Sequence, residues 1–141
     1  MTELSLKISR IIDAPMEVIF NAWLDPKIFV EFMLPVEGVV VSDVKIDACE
    51  GGKFSLMMHV DGKDLPHGGE YKVIKKYSQI VFSWVSPFSV DNSIVTLNLS
   101  DLDGRTEIEL SQVKFLDEEA RDSHKACWVT ILDCLNNTII D

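Results

Sequence analysis

From Asp117 to Asp141 the apolar residues recur at intervals of three and four, the spacing of one face of an α-helix. Ala120, His124, Cys127, Trp128, Ile131, Leu132, Cys134, Leu135, Thr138 and Ile139 share one arc, while Asp122, Lys125, Asp133, Asn136 and Asn137 lie mostly opposite. Asp117 has the chemistry of an N-cap, with Glu118 and Glu119 favoured near the positive end of the helix dipole. At about 1.5 Å per residue such a helix is roughly 40 Å long, enough to cross a whole sheet. Its apolar stripe must be buried, and the preceding sequence supplies a sheet to bury it on. His124 falls near the middle of that stripe, where a polar group must find a partner or face a cavity.

Earlier in the chain the period is two. Leu4, Leu6 and Ile8 alternate with Ser5, Lys7 and Ser9, which predicts a half-buried first strand ending near Ile12. Asp13-Ala14-Pro15 stops it. Pro15 suits a first helical turn, and Val18, Ile19, Ala22 and Trp23 predict a short helix that breaks at Asp25-Pro26. A second short helix is predicted from Lys27 to Met33, before Pro35. From Val36 onward the signals are strands and turns. Val39 to Asp47, Lys53 to Val60, Glu70 to Lys76, Ile80 to Ser86, Asn92 to Asp101 and Arg105 to Val113 are separated by Gly51-Gly52, Asp61-Gly62, Tyr77-Ser78, Pro87 and Asp103-Gly104. Links this short favour an antiparallel meander. The alternation is clearest in Ile94 to Leu99 and Thr106 to Val113, with one apolar face and one carrying Thr, Asn, Glu and Gln. No linker, repeat or low-complexity tract interrupts the pattern, so residues 1–141 read as a single domain.

Composition narrows the function. At 141 residues the chain can build a core without staples. A formal charge of −10, with thirteen scattered basic residues, argues against nucleic acid and anionic membrane, because phosphate recognition draws its affinity from clustered Lys and Arg. No apolar run approaches the ~20 residues that span a bilayer, and Met1 to Ser9 lacks the basic and apolar regions of a signal peptide. A cytoplasmic protein is expected. Cys49, Cys127 and Cys134 are odd in number and form no Cys-x-x-Cys pair. Cys127 and Cys134 lie two turns apart on one helix, about 10 Å, too far for a disulfide, and read as small apolar residues in a reducing compartment.

The chemistry-bearing motifs are few. Walker loops, Gly-x-Gly-x-x-Gly, nucleophile elbows, His-Glu-x-x-His and a Ser-His-Asp order are absent from the sequence. His124 is the only acid-base candidate that periodicity places inside, with Glu70, Glu31 or Tyr71 as possible partners. The alternative is a core or cavity-mouth histidine bonded to backbone. His59 and His67 flank Asp61-Gly62-Lys63-Asp64, a hairpin tip that could gather two imidazoles and a carboxylate, but that is an incomplete zinc set, and solvated loop side chains are the plainer reading. No metal or cofactor is expected. Phe54, Leu56 and Met58 alternate on one strand face, Phe82 and Trp84 on another, and Phe29, Phe32, Met33 and Trp128 could close the space between them. These residue types pack cores and line apolar pockets alike, so periodicity does not separate the two.

The order strand, two short helices, six strands, long helix resembles the START-like, or helix-grip (SRPBCC), superfamily, and within it the bacterial group related to the C-terminal domain of the activator of Hsp90 ATPase. The resemblance spans Leu6 to Leu135 and rests on Ile12-Asp13-Ala14-Pro15 with Val18, Ala22-Trp23 and Asp25-Pro26, then Gly51-Gly52-Lys53-Phe54, Gly69-Glu70-Tyr71, Val81-Phe82-Ser83-Trp84, Gly104-Arg105-Thr106, and Phe115 through Trp128. Cys127 departs from it, since related sequences usually carry glycine there. The resemblance implies an α+β helix-grip fold of the Bet v1-like kind, with a curved antiparallel sheet of six or seven strands around the long helix. It also implies a cavity between sheet and helix, roofed by the short helices. Relatives use that cavity to bind lipids or other hydrophobic molecules or to cyclise or dehydrate polyketide-like substrates, and the eukaryotic relative stimulates a chaperone. Three classes of function follow for this chain. The first is a binding module for a small hydrophobic or amphipathic molecule, walled by Phe32, Met58, Trp84 and Trp128 with His124 as polar anchor. The second is a co-chaperone-like domain docking on a protein partner. The third is a cyclase- or dehydratase-like enzyme. A monomer or homodimer is expected.

Overall fold

The computed structural model describes residues 4–34, 38–86 and 93–140. Its elements run β1 (Ser5–Ile12), α1 (Met16–Leu24), α2 (Pro26–Phe32), β2 (Val40–Ile46), β3 (Lys53–Val60), β4 (Lys63–Lys75), β5 (Gln79–Ser83), β6 (Ile94–Leu102), β7 (Arg105–Val113) and α3 (Glu118–Ile140). The strands form one antiparallel sheet in the order β1-β7-β6-β5-β4-β3-β2. Successive strands from β2 to β7 are therefore neighbours, as short links dictate. The two strands that flank α1 and α2 lie instead at opposite edges of the sheet. The short helices carry the chain from one edge to the other, and α3 returns along the enclosed face. This is the α+β helix-grip arrangement.

Local signals account for the helix ends. The Asp25 side chain accepts a hydrogen bond from the Lys27 amide at 2.9 Å, and Pro26 takes the first position of α2, where its missing N–H costs nothing. The Asp117 carboxylate likewise accepts from the Ala120 amide at 2.8 Å and caps α3. Trp128, Ile131, Leu132 and Leu135 are buried along the predicted arc of α3. One residue placed on the outer face is tied inward: Asp133 forms an ion pair with Arg10 of β1.

The sheet differs from expectation in its middle. β4 begins at Lys63 rather than Glu70, so residues expected in a solvated hairpin tip lie on a strand. Asp61 and Gly62, at φ of +51° and +76°, close the β3–β4 hairpin through a two-residue turn, and both positive angles match the twist of the paired strands. β5 is shorter than expected, ending at Ser83, after which Val85 bridges alone to Gly68. Gln112 and Thr106, read as part of a polar face, share the parity of Ile108 and Leu110 and are buried. Thr106 Oγ1 donates to the Ala14 carbonyl at 2.7 Å, which removes the cost of its burial. The boundaries expected at Pro35, Pro87 and Asn92, and the helix end at Asp141, lie outside the described residues.

At Gly69 the strands approach so closely that an added Cβ would sit 1.8 Å from the Ser83 carbonyl oxygen and 2.8 Å from the Phe54 ring. Gly69→Ala must therefore push β4 away from β5. We expect a loss of at least about 1–3 kcal/mol in urea denaturation; an unchanged midpoint would contradict this packing.

Candidate functional site

The enclosed face of the sheet is aromatic on both sides. From the helices, Trp23 packs edge-on against Phe32 at a centroid distance of 4.9 Å and against Phe29 at 6.3 Å. From the strands, Phe54 lies 5.3 Å from both Tyr71 and Phe82 and 6.4 Å from Trp84. Inward alternation along β3 and β5 and the helical spacing of α1 and α2 bring these two groups together. Between them remains a void of about 10 Å³, lined by Trp23, Phe29, Phe54, Tyr71, Ile80 and Phe82. That is room for about one water molecule, against roughly 300–1,000 Å³ for a pocket that encloses an organic ligand. Burial pushes the Tyr71 phenol far above its ordinary range, so it stays protonated.

Trp128 and Trp23 differ in how their indoles are satisfied. Trp128 Nε1–H donates to Gln112 Oε1 at 2.7 Å, Gln112 Nε2 donates to Ser93 Oγ at 2.8 Å, and Ser93 Oγ donates to the Val113 carbonyl at 3.0 Å. Trp23 Nε1 is buried with no hydrogen-bond partner, and among the described residues it is the buried side-chain polar atom left in that state. Neither Gln112 nor Trp23 is among the site residues expected from the sequence. Parity with Leu110 was the available signal for Gln112; nothing in the sequence marked the Trp23 indole.

The five expected site residues fall in four surroundings. Trp84 and Trp128 meet at 5.1 Å, with His67 beside Trp84 at 5.4 Å. Phe32 belongs to the helical cluster with Trp23, and Met58 is buried on β3 opposite Val41 and Leu65. His124 is half-buried against Phe115 at 5.3 Å, and its Nδ1–H donates to the Ala120 carbonyl one turn back at 2.8 Å. Its partner is thus its own helix, not Glu70, Glu31 or Tyr71. His67, read as a loop residue, is the second imidazole on the inner face. It pairs with Leu56, donates through Nδ1–H to the Leu65 carbonyl at 2.9 Å, and burial, with the nearby His124 adding to it, lowers its pKa against the opposing pull of that bond.

His59 pairs with Asp64 and so faces the other way, which separates the two histidines that the hairpin was expected to gather. His59 bridges three strands instead: its Nδ1 donates to Asp64 Oδ1 at 2.7 Å and its Nε2 accepts from Ser42 Oγ at 2.6 Å. The connectivity is that of a Ser-His-Asp relay, made by strand pairing rather than sequence spacing. Its surroundings do not suit catalysis. The Asp64 side chain is 71% exposed, and the Asp43 carboxylate stands 3.4 Å from the Ser42 hydroxyl, where it would repel an oxyanion. The bridge fastens the β2–β3–β4 edge.

A larger depression, an open groove of about 820 Å³, lies over the neighbouring segments of β3, β4 and the end of β5. Outward-facing Lys53, Ser55, Pro66, Glu70 and Ser83 line it together with Phe54 and His67.

Two outcomes test this geometry. Trp128→Ala removes a buried indole and leaves Gln112 half-paired, and we expect a loss of about 3–5 kcal/mol in thermal or chemical melts; an unaltered melt would place Trp128 outside the core. For His67, the unfolded chain takes up a proton near 6.5 while the folded protein resists it to lower pH. In that window the unfolded state binds more protons, so stability is full above 6.5 and falls as pH drops through it. His67→Gln should flatten this part of the denaturation midpoint plotted against pH, and an identical slope in both proteins would refute it.

The sequence matches the family described as Activator of Hsp90 ATPase homolog 1-like protein over residues 13–139. No curated protein matches it. Among solved structures, protein CV1439 from Chromobacterium violaceum superposes with a TM-score of 0.87 at 22% identity, covering 94% of each chain. The AHSA1-like protein from Aeromonas hydrophila gives 0.80 at 18% identity, covering 95% of this chain and 92% of its own. Protein SA2116 from Staphylococcus aureus gives 0.84 at 12% identity, covering 98% and 94%. With a strand order, edge-to-edge helical crossing and gripped helix of this kind, and a family match across nearly its whole length, the chain belongs to the Activator of Hsp90 ATPase homolog 1-like family.

Proposed function

We propose that this protein is a binding module for a small apolar or amphipathic molecule, held between the sheet and the helices. The observation that carries this reading is the buried, unpaired Trp23 Nε1–H on a side chain that lines a residual void. Interiors that serve only as cores satisfy nearly all their buried donors, and an unsatisfied one costs about 1–3 kcal/mol. Here the unsatisfied donor sits among aromatic walls that adapt to flat ligands. The void is the collapsed remainder of a site that a ligand reopens. Phe32 backs Trp23 on the side of the short helices, Trp84 meets Trp128 of α3, Met58 supplies an adaptable thioether on β3, and His124 anchors polar groups near the mouth. The open groove shares Phe54 with the lining of this void.

A second reading is favoured by the same groove. Its rim carries Lys53 and Glu70 with Ser55, Ser83 and Pro66, a mixed polar surface suited to an extended segment of a protein partner. The interior residues separate the readings, because a protein seated in the groove does not touch Trp23 or Phe32.

Thermal-shift screening with fatty acids, steroids and polyketide-like aromatics tests the binding module. A true ligand at a hundredfold excess over its Kd adds about 2.7 kcal/mol to stability, a rise of several degrees in Tm for a chain of this size. Phe32→Ala should abolish the rise. If no compound in these classes moves the Tm, the binding-module reading is wrong and the groove becomes the leading site.

A further inference from the structure

We infer that the ligand is a neutral carbonyl compound, a ketone, ester or quinone on a flat apolar body, whose oxygen accepts the hydrogen bond that Trp23 Nε1–H leaves unmade. This rests on the binding reading above and specifies its chemistry. Indole nitrogen is a donor only, so its missing partner must be an acceptor. Trp23 is 2% exposed, which shuts out bulk solvent as that partner. The side chains around the void are Phe29, Phe54, Tyr71, Ile80 and Phe82, and none carries a positive charge. A carboxylate would offer an acceptor too, but burying an anion without a cation costs several kcal/mol, and the chain's net charge of −10 repels anions from a distance. A hydrocarbon would fit the walls and leave the indole unpaired. A carbonyl oxygen fits both the donor and the apolar surroundings. Tyr71, kept protonated by burial, lines the same void and brings a hydroxyl, a second kind of donor beside the indole N–H.

The test uses the intact protein labelled with nitrogen-15 and three probes of matched shape: 2-acetylnaphthalene, 2-ethylnaphthalene and 2-naphthoate. Three indole N–H resonances are expected, from Trp23, Trp84 and Trp128. Trp128, already bonded to Gln112, shows where a hydrogen-bonded indole proton resonates in this protein. The ketone should move the Trp23 indole proton downfield and bind about five- to tenfold tighter than the hydrocarbon, the worth of one neutral hydrogen bond. The naphthoate should bind weakest. Trp23→Phe keeps an aromatic ring and removes the donor, so it should erase the preference for ketone over hydrocarbon whatever it does to the affinity for both. Should that variant fail to fold, the wild-type resonance and the three affinities decide alone. Equal affinity for ketone and hydrocarbon with an unmoved Trp23 resonance would overturn the carbonyl assignment and leave the binding module standing. So would naphthoate binding tightest. A Trp23 indole proton that contacts a bound water and ignores every probe, with no probe raising the Tm, would overturn both.

Discussion

The structure depends on burying one face of α3 against the inside of the sheet. Trp128, Ile131, Leu132 and Leu135 are withdrawn from water along that face, each worth about 1.5–3 kcal/mol relative to exposure. An isolated helix of this length carries no such gain, so its amphipathic stripe needs the sheet, and the sheet needs a cover for its apolar side. The edge-to-edge crossing of α1 and α2 completes the enclosure. With β1 at one edge and β2 at the other, the two short helices must span the sheet, and Trp23, Phe29 and Phe32 are carried over its inner face in consequence.

Polar groups within this enclosure show how specific the packing is. Gln112 satisfies the Trp128 indole and is itself satisfied by Ser93, so that end of the interior is chemically closed. Trp23 has no counterpart to Gln112, and that end is chemically open. Two aromatic clusters of similar composition therefore differ in one respect, a complete hydrogen-bond chain in one and an unmet donor in the other. The difference favours Trp23, rather than the Trp84–Trp128 pair alone, as the proposed ligand contact. Fold membership does not make this choice, since a family shares its scaffold more widely than its ligand.

The exposed edge of the sheet is handled separately. β2 lies at the end of the strand order, and edge strands invite unwanted pairing. The register shift between Ser42 and Lys45, with Asp43 at φ +54°, distorts this edge, and the Ser42–His59–Asp64 bridge ties it across three strands. A hydrogen-bond chain with the connectivity of a catalytic relay here serves packing of an edge, because neither water exclusion nor oxyanion stabilisation accompanies it.

The sequence by itself determined the elements and their class. Helical spacing located α3 and its buried arc, caps at Asp25 and Asp117 set helix starts, and short links made the strands neighbours. These features are local, written within a few residues of each other. Burial of Phe32, Met58, Trp84 and Trp128 was legible for the same reason, as was the half-buried position of His124. Only the tertiary structure decided what these residues meet. β4 extends back to Lys63 because pairing with β3 overrides the turn-like look of Pro66 and Gly68-Gly69, and this moves His67 to the inner face and His59 to the outer. Gln112 finds Trp128, and Trp23 finds no partner, through contacts between distant parts of the chain. A periodic pattern states which side of an element is apolar. Whether that side is filled, hollow or short of one hydrogen bond depends on the shape of what packs against it.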